Sequence, residues 1–409
     1  MINRRLKVFI IGQVWPEPTS SAAGTRMLQL IDLFEEYRCD IVFGSTAAKG
    51  EHSAVLPSSV ECKSLILNSS TFDQEAINID PDVVVFDRFT TEEQFGWRVA
   101  NSCPRAVRVL DTEDLHMLRS TRQKSYKAKR IFTTELLRDE DVSKREIASI
   151  LRCDLSLIVS TYEMTLLQDT FKVDESLLMY LPLFADVKHK ILPNYSDRKD
   201  FIFIGNFLHE PNKDAVKYLK SEIWPKVKNS LSDASMLIYG AYTSPDIILL
   251  NDPRQKFLIK GRAVDASEEV KKARIVLAPL QYGAGIKGKL LEAMACGTPS
   301  VTTSIGAEGM HDDMQWSGEV ADQPEEYSAA AVALYSDSEK WSSAQEKGFS
   351  LLRARFDRTL YEGEFLQRIL SLVDGLQAHR SRNFIGSMLQ HHTMRSTEFL
   401  SRWIEEKNK

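Results

Sequence analysis

Ala278-Pro279-Leu280-Gln281-Tyr282-Gly283-Ala284-Gly285-Ile286-Lys287-Gly288-Lys289-Leu290-Leu291-Glu292-Ala293-Met294-Ala295-Cys296-Gly297-Thr298-Pro299 is the stretch from which the fold can be read. A β-type run from Arg274 to Leu280 enters a loop holding three glycines, and a helix closed by Gly297 and Pro299 leaves it. Strand, glycine loop and helix N-terminus make an anion site. The first N–H groups of the helix lack partners, its dipole favours negative charge, and glycine lets a phosphate come close. Gly283, Gly285, Ile286, Lys287, Gly288 and Lys289 are therefore the expected phosphate contacts, the two lysines adding charge. Glu292, one turn further, is placed to accept from ribose hydroxyls, although a tight turn with a solvated carboxylate would use the same residues.

The loop also matches two other patterns. Gly283, Gly285 and Gly288 satisfy G-x-G-x-x-G, but a dinucleotide fingerprint belongs after the first strand of its domain, and this one follows the fourth run of its half. Gly283, Gly288 and Lys289 nearly spell a P-loop, yet Leu290 stands where a hydroxyl must hold magnesium.

Outward from this loop the chain repeats strand, then helix. The first half offers β-branched runs at 7–11, 40–45, 83–89, 106–112 and 155–161, alternating with helix-like stretches at 22–37, 91–103, 119–150 and 162–171. Runs such as Val83-Val84-Val85-Phe86 are apolar on both faces, which a strand needs only when helices cover both sides of its sheet. The second half starts again after a polar-rich stretch, with strands at 201–205, 235–240, 256–261, 274–280 and 299–303. The pattern predicts an α/β protein of two doubly wound parallel-sheet domains in tandem, with a hinge near 185–199. The expected divisions are 1–190, 198–355 and a helical C-terminal part, 356–409, that packs back on the first domain. Residues 324–375 read as helical throughout, and the chain from 376 as a polar tail.

Length and composition agree with this organisation. At roughly 150 residues per domain, 409 residues give two to three domains, and 43% hydrophobic residues supply their cores. With 52 Lys and Arg against 57 Asp and Glu, the net charge of -5 argues against nucleic acid as a partner. Five cysteines without C-x-x-C spacing read as reduced thiols of a cytoplasmic protein. No run reaches the roughly 18 apolar residues that span a bilayer, so membrane contact is expected to be peripheral at most.

The stretch from Gly283 to Pro299, followed by Thr303-Ser304-Ile305-Gly306-Ala307-Glu308-Gly309, resembles the donor-site signature of retaining glycosyltransferases of family four (glycosyl transferases group 1), which have the GT-B fold. The likeness extends to Phe203-Ile204-Gly205-Asn206-Phe207 with Pro211-Asn212, Leu237-Ile238-Tyr239-Gly240, Ile259-Lys260-Gly261-Arg262 and Ile158-Val159-Ser160-Thr161-Tyr162-Glu163. The resemblance implies two Rossmann-like domains facing a cleft. It implies transfer of a sugar, with retention, from a nucleoside-diphosphate sugar to a glycan or lipid-linked acceptor. The family's usual pair of glutamates falls here on Ala284 and Glu292, so the first is absent. Asn206 stands where an arginine is common, Lys213 is an approximate match to the family's second diphosphate cation, and Arg262 lies in a matched motif.

In the N-terminal half, Val14 to Arg26 resembles the family's loop against the diphosphate, with Gly24 and Arg26 as expected contacts. Asp87 and Arg88 are expected at the acceptor, because open α/β sheets bind ligands at the C-terminal ends of their strands. Four ionisable groups in Asp111-Thr112-Glu113-Asp114-Leu115-His116 follow a buried strand, where they need partners or a cleft. The family's His-Asp pair maps onto Glu113 and Asp114, with His116 displaced by three positions, and these three are the expected catalytic groups. No cofactor or metal is expected. The rival readings are a nucleotide-binding regulatory module without turnover, and a sugar epimerase of the same fold.

Overall fold

The computed structural model describes residues 4–185 and 192–408. Residues 186–191 of the expected hinge lie outside the described residues. The first sheet contains β1 (Lys7–Gly12), β2 (Asp40–Ser45), β3 (Val60–Ser64), β4 (Val83–Asp87), β5 (Val107–Asp111), β6 (Leu155–Ile158) and β7 (Leu178–Tyr180). They run parallel in the order β3-β2-β1-β4-β5-β6-β7. The second holds β8 (Lys199–Asn206), β9 (Met236–Ala241), β10 (Phe257–Gly261), β11 (Ala273–Ala278), β12 (Ser300–Thr302) and β13 (Gly318–Val320), parallel in the order β10-β9-β8-β11-β12-β13.

Period-2 side-chain alternation explains why these runs had to be apolar on both faces. In β1 and β4, Phe9, Ile11, Val84 and Phe86 enter one core, and Val8, Ile10, Val83 and Val85 enter the other. The second sheet divides likewise, Phe201, Phe203, Ile275 and Leu277 on one side and Ile202, Ile204 and Val276 on the other. Chain order reverses between β1 and β4 and between β8 and β11, the crevice where open sheets take ligands. The glycine loop leaves β11 at one such point, and Asp87 ends β4 at the other.

Several elements depart from the pattern read above. β3, β7 and β13 were not foreseen. β3 buries only Val60, and the other two have three residues each, too short to stand out as strands. The helix expected over 119–150 is three helices, His116–Lys127, Leu136–Asp139 and Asp141–Arg152. The first ends where Lys129 turns left-handed, at φ +52, and no glycine or proline marks the break. The stretch expected to be helical over 324–375 breaks near Asp337 and again around 352–361.

The segment read as a polar tail is helical. Helix Glu362–Arg382 runs on, and Asn383 accepts the Gly386 N–H to start helix Phe384–Lys407. The last helix packs on helices Phe89–Ser102 and Asp141–Arg152, where Arg98 meets Ser401 and Glu405. Arg380 fastens the pair to the first domain. It donates to Asp154 from Nε and Nη2, both at 2.7 Å, and to the carbonyls of Pro104 and Ala106. Burial pushes the Asp154 carboxyl up, but Arg380 and Arg108 outweigh it and hold the group below its ordinary value. Removing Arg380 strips this buried carboxylate of its two-pronged partner and leaves Arg108 as its remaining counter-charge. The substitution Arg380→Ala should therefore lower first-domain stability by about 3 kcal/mol, read from denaturant unfolding.

Candidate active site

The glycine loop is closed on itself by its own lysine. Lys287 Nζ donates to the carbonyls of Ala284 at 3.1 Å and Gly285 at 2.6 Å, and the residue is 9% exposed. Burial pushes its ammonium down to about 8, a shift Glu308 and Glu163 oppose and Arg122 assists. Lys289 donates to Asn212 Oδ1 and lies 4.5 Å above the Phe203 ring. Burial, then the charge of Lys287, pushes it down to about 7. No side chain caps helix Gly288–Ala295, and Lys287, at its N-terminus, is near enough to Lys289 to depress it, so two ammonium groups without a full counter-charge border that end. Ile286 sits in the core beneath. Glu292 accepts from Ser267 Oγ at 3.0 Å. Asn206, at the end of β8, accepts the Asn212 side chain on its carbonyl and the Leu208 N–H on its own side chain. Lys213, expected at the diphosphate, pairs with Glu210 on the helix surface. Its neighbour Asn212 is the residue on the loop lysine.

The opposite wall rises from the ends of β1, β4 and β5. Arg26, expected at the diphosphate, is wholly buried inside the first domain. It donates to Asp111 Oδ1 and to the Pro182 carbonyl, so its guanidinium is committed internally. Gly24 lies against the backbone of Glu17, where a Cβ would stand 2.4 Å from a backbone atom. Asp87 accepts the Gln13 N–H, and Arg88, at φ +71, donates to Gln13 Oε1. Glu113 is also left-handed, at φ +64, and burial beside Asp111 raises its carboxyl well above the ordinary value.

Asp114 and His116 come together as the sequence suggested, Nε2 standing 3.5 Å from Oδ1. Arg119 also binds Asp114 and outweighs burial, so this carboxyl lies below its ordinary value. Burial pushes His116 down to about 4, which leaves a neutral imidazole at pH 7.

Helix His116–Lys127 begins without a side-chain cap of its own. Two buried glutamates from other helices supply it. Glu146 accepts the N–H groups of His116 and Met117 at 3.0 and 2.8 Å, and Glu163 accepts that of Leu115 at 3.0 Å. Burial raises the two carboxyls to about 8 and about 7 respectively. Sequence reading missed both roles. Glu146 lies in the charge-dense run Asp141–Arg152, and Glu163 ended a matched motif with no function attached.

The walls meet. Arg122 donates to both oxygens of Glu308 at 2.7 Å and to the Gly283 carbonyl at 2.9 Å. Arg262 donates to Thr19 Oγ1 at 2.7 Å, and Tyr242 donates to Glu17 at 2.7 Å. The Gly285 N–H donates to Glu163 Oε1 at 2.8 Å. A Cβ on Gly285 would fall 2.8 Å from the Cβ of Asp114, and one on Gly288 2.7 Å from that of Ala22. The glycine loop and the Asp114 turn thus face each other across a closed cleft. Among the described residues no group of three or more His, Cys, Asp or Glu is placed to hold a metal ion.

Residues 198–337 match the family described as glycosyl transferases group 1. No curated protein matches the chain in sequence. Among solved structures, Alr3699/HepE from Anabaena in complex with UDP and glucose is 15% identical, with a TM-score of 0.64 over 90% of this chain and 100% of that one. Sucrose-phosphate synthase (tll1590) from Thermosynechococcus elongatus is 13% identical, with a TM-score of 0.69 over 91% and 100%. WaaG, a glycosyltransferase involved in lipopolysaccharide biosynthesis, is 13% identical, with a TM-score of 0.59 over 86% and 96%. The two facing parallel-sheet domains are the GT-B fold that the resemblance implied.

Gly285 stands at φ +62 with Asp114 against it, so Gly285→Ala is strained twice. A left-handed non-glycine residue costs about 1–2 kcal/mol, a factor of roughly 5–30 in an equilibrium. Amide hydrogen exchange over 283–289 and at Leu115 should rise by that factor in Gly285→Ala, while the strands of both sheets keep their protection.

Proposed function

We propose that this chain transfers a glycosyl unit from a nucleoside-diphosphate sugar to a hydroxyl of a glycan or lipid-linked acceptor, with retention of configuration. One observation carries the reading: two lysines that burial has pushed towards neutrality stand at an uncapped helix N-terminus, where a diphosphate would restore their charge. The family match over the same residues and the UDP named for the Anabaena structure agree with it.

In the proposed reaction the bond from the anomeric carbon to the diphosphate oxygen breaks, and a bond to the acceptor oxygen forms on the same face. Negative charge grows on the departing diphosphate, and Lys287, Lys289 and the helix amides stabilise it. The acceptor proton passes to that departing oxygen, because Asp114 is committed to Arg119 and is a weak base. Asp114 and the neutral His116 orient hydroxyl groups, with Asp87 and Arg88 towards the acceptor. Glu292 accepts from the ribose, and Asn206 and Arg262 border the donor. Closure of the cleft keeps water from the activated sugar. The lysines carry the charge a divalent cation would otherwise supply, so transfer should persist in EDTA. The five free thiols suit a reducing, cytoplasmic setting. No helix among the described residues is long and apolar enough to cross a membrane.

Screening UDP-, GDP- and ADP-sugars by thermal shift should identify one that stabilises the fold by about 2.7 kcal/mol at 100 times its dissociation constant. Slow release of nucleoside diphosphate from that donor supports the enzyme; tight binding without turnover would favour the regulatory module. Lys287 and Lys289 lose their protons as pH rises through about 8 and about 7. Donor affinity measured by calorimetry should therefore fall between pH 6.5 and 9, and the fall should flatten in Lys287→Arg, whose guanidinium stays charged.

A further inference from the structure

We propose that Glu163 is a positioning residue for the donor loop: from the first domain it pins the Ala284–Gly285 peptide, and through that peptide it orients Lys287. The inference rests on the donor-binding reading above and adds a residue to it. Gly285 N–H donates to Glu163 Oε1 at 2.8 Å, and the carbonyl of that same peptide, Ala284 O, accepts from Lys287 Nζ at 3.1 Å. One peptide unit is therefore held at both ends, by a carboxylate from one domain and an ammonium of the other. Each bond polarises the peptide in the sense that strengthens the other.

A helix cap would explain the Leu115 bond alone. It does not explain why the same oxygen also takes an N–H 122 residues away, in the opposite domain. Glu146 provides the contrast. It caps the same helix with two bonds, and neither reaches the donor loop. Glu163 is fully buried, and its Oε2 has no hydrogen-bond partner among the described residues, so the carboxylate's contacts run through Oε1. Leu115 follows Asp114 directly. A single oxygen thus sets the Asp114 turn and the lysine loop relative to each other once the domains have closed.

The substitutions Glu163→Gln, Glu163→Ala and, as a capping control, Glu146→Gln separate positioning from folding. Glutamine keeps a carbonyl oxygen able to accept both N–H groups but removes the charge. Lys287 faces Glu308, Arg122, Glu163 and Asp114, with Lys289 beside it. Loss of one negative charge should move the alkaline limb of kcat/KM for the donor down by about half a pH unit or more, with the melting temperature of Glu163→Gln kept. Glu163→Ala should lower kcat/KM for the donor about tenfold or more, as misplacement of a positioned group does, with affinity for free UDP, GDP or ADP weakened in the same direction. In Glu146→Gln the alkaline limb should stay in place.

Hydrogen exchange over 283–289 reads the pin without turnover. It should rise in Glu163→Ala and not in Glu146→Gln. An unchanged exchange rate at that loop, or pH limbs that move equally in Glu163→Gln and Glu146→Gln, would overturn the proposal. A wild-type protein that binds no nucleoside diphosphate would sink the donor reading instead, and the exchange measurement would still decide the role of Glu163. If Glu163→Ala does not fold, the glutamine variant and its pH limb decide.

Discussion

Glu163 Oε1 accepts backbone N–H groups from Leu115 and Gly285, and this buried oxygen joins the two halves of the cleft at the glycine loop. An isolated carboxylate taken from water is costly, and two N–H donors offset part of that cost only when both domains present them. Around it Arg122 binds Glu308 and the Gly283 carbonyl, so the seam is made of charges that each depend on the other domain. Closure and a well-formed loop are therefore one physical event. That coupling suits the proposed donor, an activated sugar that must be shielded from water when it is bound.

The lysines of the loop are held on the other side of the same balance. Lys287 is satisfied by carbonyls, which accept hydrogen bonds but bring no formal negative charge, and Lys289 by an amide oxygen and an aromatic face. Burial depresses both groups, and Glu308 and Glu163 are the carboxylates that raise Lys287 against it. An anion between the lysines is the partner this electrostatic arrangement favours, because it restores two charges at once.

Strain gathers where the strands end. Arg88 after β4 and Glu113 after β5 take left-handed backbone although neither is glycine, and both flank the charged turn that faces the loop. Such conformations persist only where surrounding bonds over-determine them, and they are common at working sites. Here Arg88 is tied to Gln13, while the Glu146 and Glu163 carboxylates hold the next helix. The turn is therefore presented rigidly, with Asp114 and His116 on one side.

Sequence alone determined the doubly wound sheets, because strands such as Val83-Val84-Val85-Phe86 must be apolar on both faces when helices cover both. It also determined the glycine loop with its two lysines, because glycines, lysines and a helix start are neighbours along the chain. Asp114 and His116 were legible for the same reason, being two residues apart. Tertiary structure alone decided that Arg26 is an internal partner of Asp111, that Asn212 rather than Lys213 reaches the loop, and that Glu146 and Glu163 cap a helix they do not belong to. Edge strands such as β3 were equally hidden, since an edge needs little apolar surface. Periodicity records how each residue meets its own layer. A bond between Glu163 and Gly285 is set by how two finished sheets meet, and no local pattern encodes that distance.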